Sequence, residues 1–128
     1  MPASATILLV DDEPTLRKTI GRRLMHEGYE VLTAGSGEEA LTLAAERRPD
    51  LVLLDIMMPK MKGRDVCAKL KADPQTAHIP VIFMTALGLA DHVQAGMQAG
   101  AEDYIVKPFD TEVLRDRIRV CLLRHSGR

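Results

Sequence analysis

The chain has 128 residues, 46% hydrophobic and 27% charged, with a formal net charge of −1. That is enough chain to bury one core, and the near-neutral balance gives no electrostatic case for direct contact with nucleic acid or an anionic membrane. No apolar stretch approaches the roughly 20 residues that span a bilayer, and the opening MPASATILLV lacks the basic and apolar regions of a secretion signal.

Cys67 and Cys121 stand apart in helix-like segments, without metal-ligand spacing. They read as reduced core thiols, so the expectation is one cytoplasmic domain over residues 1–128, its core about 5–124. In chain order, TILLV at 6–10 is a buried strand. Pro14 suits the first position of a helix whose face carries Leu16, Ile20 and Leu24, and Gly28 suits its C-terminal cap. YEVLT at 29–33 is mixed, as an edge strand would be. Ser36 and Glu39 form a capping box before a helix with Ala40, Leu41, Ala44 and Ala45 on one face. LVLL at 51–54 is a second buried strand, followed near Gly63 by a helix carrying Val66, Cys67 and Leu70 and closed by Asp73-Pro74. VIFM at 81–84 is a third buried strand, and Val93 and Met97 mark the face of a helix that Gly100 ends. DYIV at 103–106 is another edge strand; Leu114, Ile118, Cys121 and Leu122 line the last helix, and HSGR reads as the start of a linker.

Strand and helix thus alternate five times. Such a pattern predicts an α/β fold: a doubly wound, flavodoxin-like parallel sheet of five strands in the order 2-1-3-4-5, with right-handed crossovers. Ligands in such folds bind beyond the carboxyl ends of the strands. The first strand ends in Asp11-Asp12, the third in Asp55, the fourth in Thr85 and the fifth in Lys107. Singly, each has an ordinary explanation. Asp12 and Glu13 suit a helix N-terminus, Asp55 a turn before Pro59, Thr85 a local cap and Lys107 a solvated strand end. Together they put carboxylates, a hydroxyl and an ammonium in one crevice. Carboxylates about 4 Å apart, at an effective dielectric near 20, repel by roughly 4 kcal/mol per pair. A Mg²⁺ ion would reverse the sign of that interaction, and a carboxylate beside it can attack phosphorus. The crevice therefore suggests phosphoryl chemistry on Asp55. His26, His78, His92 and His125 read as surface residues with neither metal nor catalytic role.

The motifs VDDEP, PDLVLLDIMMPKMKG, IPVIFMTAL and GAEDYIVKPF, which cover essentially the whole chain in order, closely resemble the receiver domain of two-component response regulators. The resemblance implies that Asp55 accepts a phosphoryl group from a phosphohistidine of a sensor histidine kinase or phosphotransfer protein. Mg²⁺ would be held by Asp12, Asp55 and the main-chain carbonyl of Met57, with Asp11 acting through water. Thr85 would bond the phosphoryl group, Lys107 would pair with it, and the Lys107–Pro108 peptide would be cis. Tyr104 matches the switch aromatic that turns inward as Thr85 moves, altering the surface of the fourth helix, fifth strand and fifth helix. The domain would catalyse its own phosphorylation and a slow self-hydrolysis, because the positions flanking the attacking water are the apolar Met57 and Leu87.

The chain departs from the family pattern in the basic, exposed pair Lys62 and Arg64 around Gly63. Arg117 and Arg119, opposite Glu102 and Asp103, faintly resemble a charged dimer face, although His92 and Gln94 stand where helix 4 would need a basic partner; a homodimer on phosphorylation is left open. Two other readings compete. Gly35–Ala40 fits the G-x-G-x-x-A of a nucleotide-binding turn, with Asp55 about 20 residues on. Alternatively, the domain kept the fold as a phosphorylation-independent binding module.

Overall fold

The computed structural model describes residues 5–86 and 89–125. Five strands and five helices alternate: β1 (Thr6–Val10), α1 (Pro14–His26), β2 (Glu30–Ala34), α2 (Gly37–Arg47), β3 (Leu51–Asp55), α3 (Gly63–Ala72), β4 (Val81–Ala86), α4 (Ala90–Gln98), β5 (Asp103–Lys107) and α5 (Thr111–His125). Every pairing is parallel, in the order β2-β1-β3-β4-β5. Register sets the strand ends level: Val10 lies beside Leu54, Asp55 beside Met84, and Thr85 beside Val106.

Alternation along each strand divides the core in two. Leu8, Val10, Val52, Leu54, Val81 and Phe83 face α2 and α3, with Val93 of α4 packed against their edge. Ile7, Leu9, Leu51, Leu53, Ile82 and Met84 face α1 and α5. β3 is buried throughout, whereas β2 and β5 are mixed, as their edge positions require. Among the described residues no helix is long and apolar enough to cross a membrane.

Local chemistry sets the boundaries. Pro14 opens α1. Its end is a Schellman turn: Tyr29 N–H donates to Leu24 O and Gly28 N–H to Met25 O, with Gly28 at φ 97°. The same turn closes α4, where Gly100 has φ 115°. Ser36 caps α2 by accepting from Glu39 N–H. Several expectations shift. β3, β4 and β5 run one or two residues past LVLL, VIFM and DYIV, to Asp55, Ala86 and Lys107. β2 runs one residue later than YEVLT. On α2 it is Leu43, not Ala45, that packs inward beside Leu41. On α4, Met97 is 36% exposed and Gly96 is the buried residue, because the helix lies against the Phe83 ring at the point where Gly96 has no side chain. Ser126 to Arg128, most of the expected linker, lie outside the described residues.

Candidate functional site

Asp11 follows β1 directly, its N–H bonded to Ala34 O at the end of β2. Its side chain is buried, with Oδ1 accepting from Glu13 N–H at 3.0 Å. Arg17 Nη1 donates to its main-chain oxygen at 2.7 Å. Asp12 is exposed beside it. Asp55, the last residue of β3, is buried, and its Oδ1 accepts from Met57 N–H at 3.1 Å. The loop behind it folds back tightly. Gly63 N–H donates to Ile56 O at 3.0 Å, and a Cβ at Gly63 would stand 2.5 Å from the main-chain oxygen of Asp55. Lys60, in the same loop, has φ 69°.

Lys107 reaches from β5 to both buried acids, its Nζ 3.1 Å from Asp11 Oδ2 and 3.5 Å from Asp55 Oδ2. One carboxylate oxygen each from Asp11, Asp12 and Asp55 lies within 4.8 Å of the others. Burial raises the Asp55 carboxyl to about 6, opposed by Met57 N–H and Lys107 and reinforced by the charges of Asp11 and Asp12. Thr85 is buried beside this crevice, its hydroxyl making a long 3.4 Å bond to Ala86 O. The Lys107–Pro108 peptide is cis. Asp11, Asp12, Asp55 and Lys107, from three strand ends, therefore meet in one crevice, with Thr85 one residue beyond Met84, the partner of Asp55 in the sheet. The three carboxylates offer hard oxygens, a set that suits Mg²⁺.

Tyr104 is 41% exposed, at the rim of a cavity of about 330 Å³ that Thr85, Leu89, Val93 and Val106 also line. Lys62 and Arg64 are half-buried rather than exposed. Arg117 pairs with Asp103 at 2.7 Å as its position suggested, but Arg119 turns to Asp116 at 3.5 Å. At the Gly35–Ala40 turn, Gly35 N–H donates to Glu39 Oε1 at 2.8 Å and Glu39 N–H to Ser36 Oγ at 3.2 Å. Those donors, which a bound phosphate would need, are engaged within the turn. Leu87 lies outside the described residues.

One histidine departs from its expected place. His125 is not a bare surface residue: it is half-buried and bonds Glu102, which also accepts from Cys121 Sγ at 3.4 Å. The signal was present as Cys121 and His125 four residues apart, one helical turn, on a helix that continues through His125.

Residues 7–119 match the family model of the response regulator receiver domain. The chain is 43% identical over 123 residues to the DNA-binding dual master transcriptional regulator RpaA of Synechocystis, covering 95% of this chain and 50% of that protein. It is 49% identical over 117 residues to the response regulator PleD of Caulobacter vibrioides, covering 91% of this chain and 26% of that one. The chain thus spans half or less of the length of these curated relatives. Among solved structures, the chemotaxis protein CheY4 of Vibrio cholerae superposes with a TM-score of 0.88 at 33% identity, covering 93% of this chain and 99% of that one. A response regulator receiver domain from Clostridium thermocellum gives 0.88 at 36% identity, covering 94% and 95%.

Proposed function

The chain belongs to the response regulator receiver domain family of two-component signalling, and from that premise we propose that Asp55 is its phosphoacceptor, charged by a phosphohistidine of a sensor histidine kinase or phosphotransfer protein. The observation that carries this reading is the meeting of Asp11, Asp55 and Lys107 around one opening, with Lys107 Nζ 3.1 Å and 3.5 Å from the two acids. An Asp55 oxygen attacks phosphorus, the P–N bond to the donor imidazole breaks, and the imidazole nitrogen takes up a proton as it leaves. Asp12, Asp55 and the Met57 carbonyl would hold Mg²⁺, and Asp11 would help through water. The ion, when bound, neutralises charge on the transferring oxygens. Lys107 then exchanges its contact with Asp55 for the new phosphoryl oxygens, and the Thr85 hydroxyl, weakly engaged with Ala86 O at 3.4 Å, donates to them. As Thr85 moves, Tyr104 turns into the cavity beside it, so that α4, β5 and α5 present the altered surface to a downstream partner.

The direct test is intact-mass measurement after incubating the chain with Mg²⁺ and a phosphorylated histidine donor or acetyl phosphate. Wild type should gain one phosphoryl group, Asp55→Asn none, and Asp12→Asn should need far more Mg²⁺ while keeping the fold. A gain by Asp55→Asn at the wild-type rate overturns the assignment, and an inert wild type favours the binding-module reading. Following the same sample after donor removal tests the slow hydrolysis. Met57 is 40% exposed and offers a water nothing to bond. Met57→Asn or Met57→Glu should shorten the phosphate lifetime by about tenfold or more, the full effect of a well-placed acid–base group being about 10² to 10⁴.

A further inference from the structure

Glu102, Cys121 and His125 meet at the end of β5 remote from Asp55. Glu102 precedes β5, while Cys121 and His125 stand on successive turns of α5. Cys121 Sγ–H donates to Glu102 Oε2 at 3.4 Å, and the His125 ring, through Nε2, bonds Glu102 Oε1. One ligand atom of each lies within 4.8 Å of the other two. Cys121 is buried, but the side chains of His125 and Glu102 keep 20% and 24% exposure, so the cluster can be reached from solvent.

We propose that Glu102, Cys121 and His125 are a three-ligand site for a borderline-soft divalent cation, with Zn²⁺ the best match. The reason is donor chemistry. Thiolate, imidazole and carboxylate together are the set that Zn²⁺ takes in tetrahedral sites, water completing the fourth position. The same set is a poor one for Mg²⁺, which requires hard oxygens in octahedral geometry. The domain thus carries two clusters that would sort ions by softness: oxygen-only at Asp11, Asp12 and Asp55, and mixed at this one.

Charge also balances. Thiolate and carboxylate contribute two negative charges against the two of the cation. Binding forms a metal–sulfur bond and releases the Cys121 proton to solvent. Affinity should therefore rise with pH. The other charges in reach are Arg124, 3.7 Å from Glu102 Oε2, with Lys71 and Asp103. Arg124 is 63% exposed and free to swing away as the ion enters. Without an ion the three side chains form a satisfied hydrogen-bonded group, and the experiment separates that bland role from ligation.

The test is titration of the 128-residue chain with Co²⁺ in excess Mg²⁺, which keeps the oxygen cluster filled. Sulfur-to-cobalt charge-transfer absorption should appear in the near ultraviolet, saturate at one ion per chain and disappear on adding Zn²⁺. Cys67→Ser should retain it and Cys121→Ser should lose it. His125→Ala, at the half-exposed end of α5 where the core is not at risk, should weaken binding by about tenfold or more, and Glu102→Gln should weaken it as well. Circular dichroism checks each variant. If Cys121→Ser does not fold, the His125 and Glu102 variants decide. No sulfur-to-cobalt absorption in wild type, absorption that follows Cys67, or affinity indifferent to both His125→Ala and Glu102→Gln would overturn the site.

Discussion

Asp55 is buried at a cost to the fold, and pH exposes that cost. Burial, helped by Asp11 and Asp12, raises the carboxyl to about 6 against the pull of Met57 N–H and Lys107. In an unfolded chain an Asp titrates near 3.9. Between these values the folded chain holds a proton that the unfolded chain has released. Stability contributed by this group therefore falls as pH rises through that window, and the penalty is complete above about 6. A carboxyl raised from near 3.9 to about 6 corresponds to roughly 3 kcal/mol at most. Asp55→Asn should accordingly make the metal-free chain more stable at pH 7 by about 1–3 kcal/mol in urea unfolding, with the gain vanishing near pH 4. A gain that is the same at both pH values would show that the carboxyl is not held up. Saturating Mg²⁺ should shrink the difference, because a bound cation stabilises the carboxylate.

At the scale of the element, α4 is seated by an absent side chain. A Cβ at Gly96 would stand 2.2 Å from Phe83 Cε2. Gly96→Ala must push α4 off the sheet or rotate the ring, an overpacking worth about 1–3 kcal/mol, against a helix-propensity gain of about 1 kcal/mol. The urea midpoint should fall, and Phe83→Leu in the same chain should restore part of it. An unchanged midpoint would mean that the ring yields freely. This seat also explains where the sequence was legible and where it was not. The faces of α1, α3 and α5 could be read because apolar side chains recur every three or four residues. Periodicity counts side chains and is blind to a glycine used as a contact, so Met97 took the place that belongs to Gly96. Asp11, Asp12, Asp55, Thr85 and Lys107 were legible as polar residues ending apolar runs or standing next to them. Glu102 was not, because it precedes its strand, and its contact with His125 depends on α5 extending through residue 125.

For the whole molecule, the expected response to phosphorylation is a change carried across the sheet rather than around it. A phosphoryl group adds about −1.5 to −2 charges at Asp55, and Thr85 and Lys107 lie on the two strands that lead to the edge of the sheet. Beryllofluoride with Mg²⁺ should therefore shift backbone NMR signals through residues 85–106 as well as around Asp55. Shifts confined to the neighbours of Asp55 would sink the proposed switch. The sheet also separates the two thiols, with Cys67 in the core under α2 and α3 and Cys121 in the core under α1 and α5. Burial holds them as unreactive thiols, pushed up to about 11 and about 12. Only thiolates alkylate readily, so a brief pulse of reagent labels either one chiefly in molecules that have opened on its side. Each half of the core thereby keeps its own clock of breathing, Cys67 timing one face and Cys121 the other.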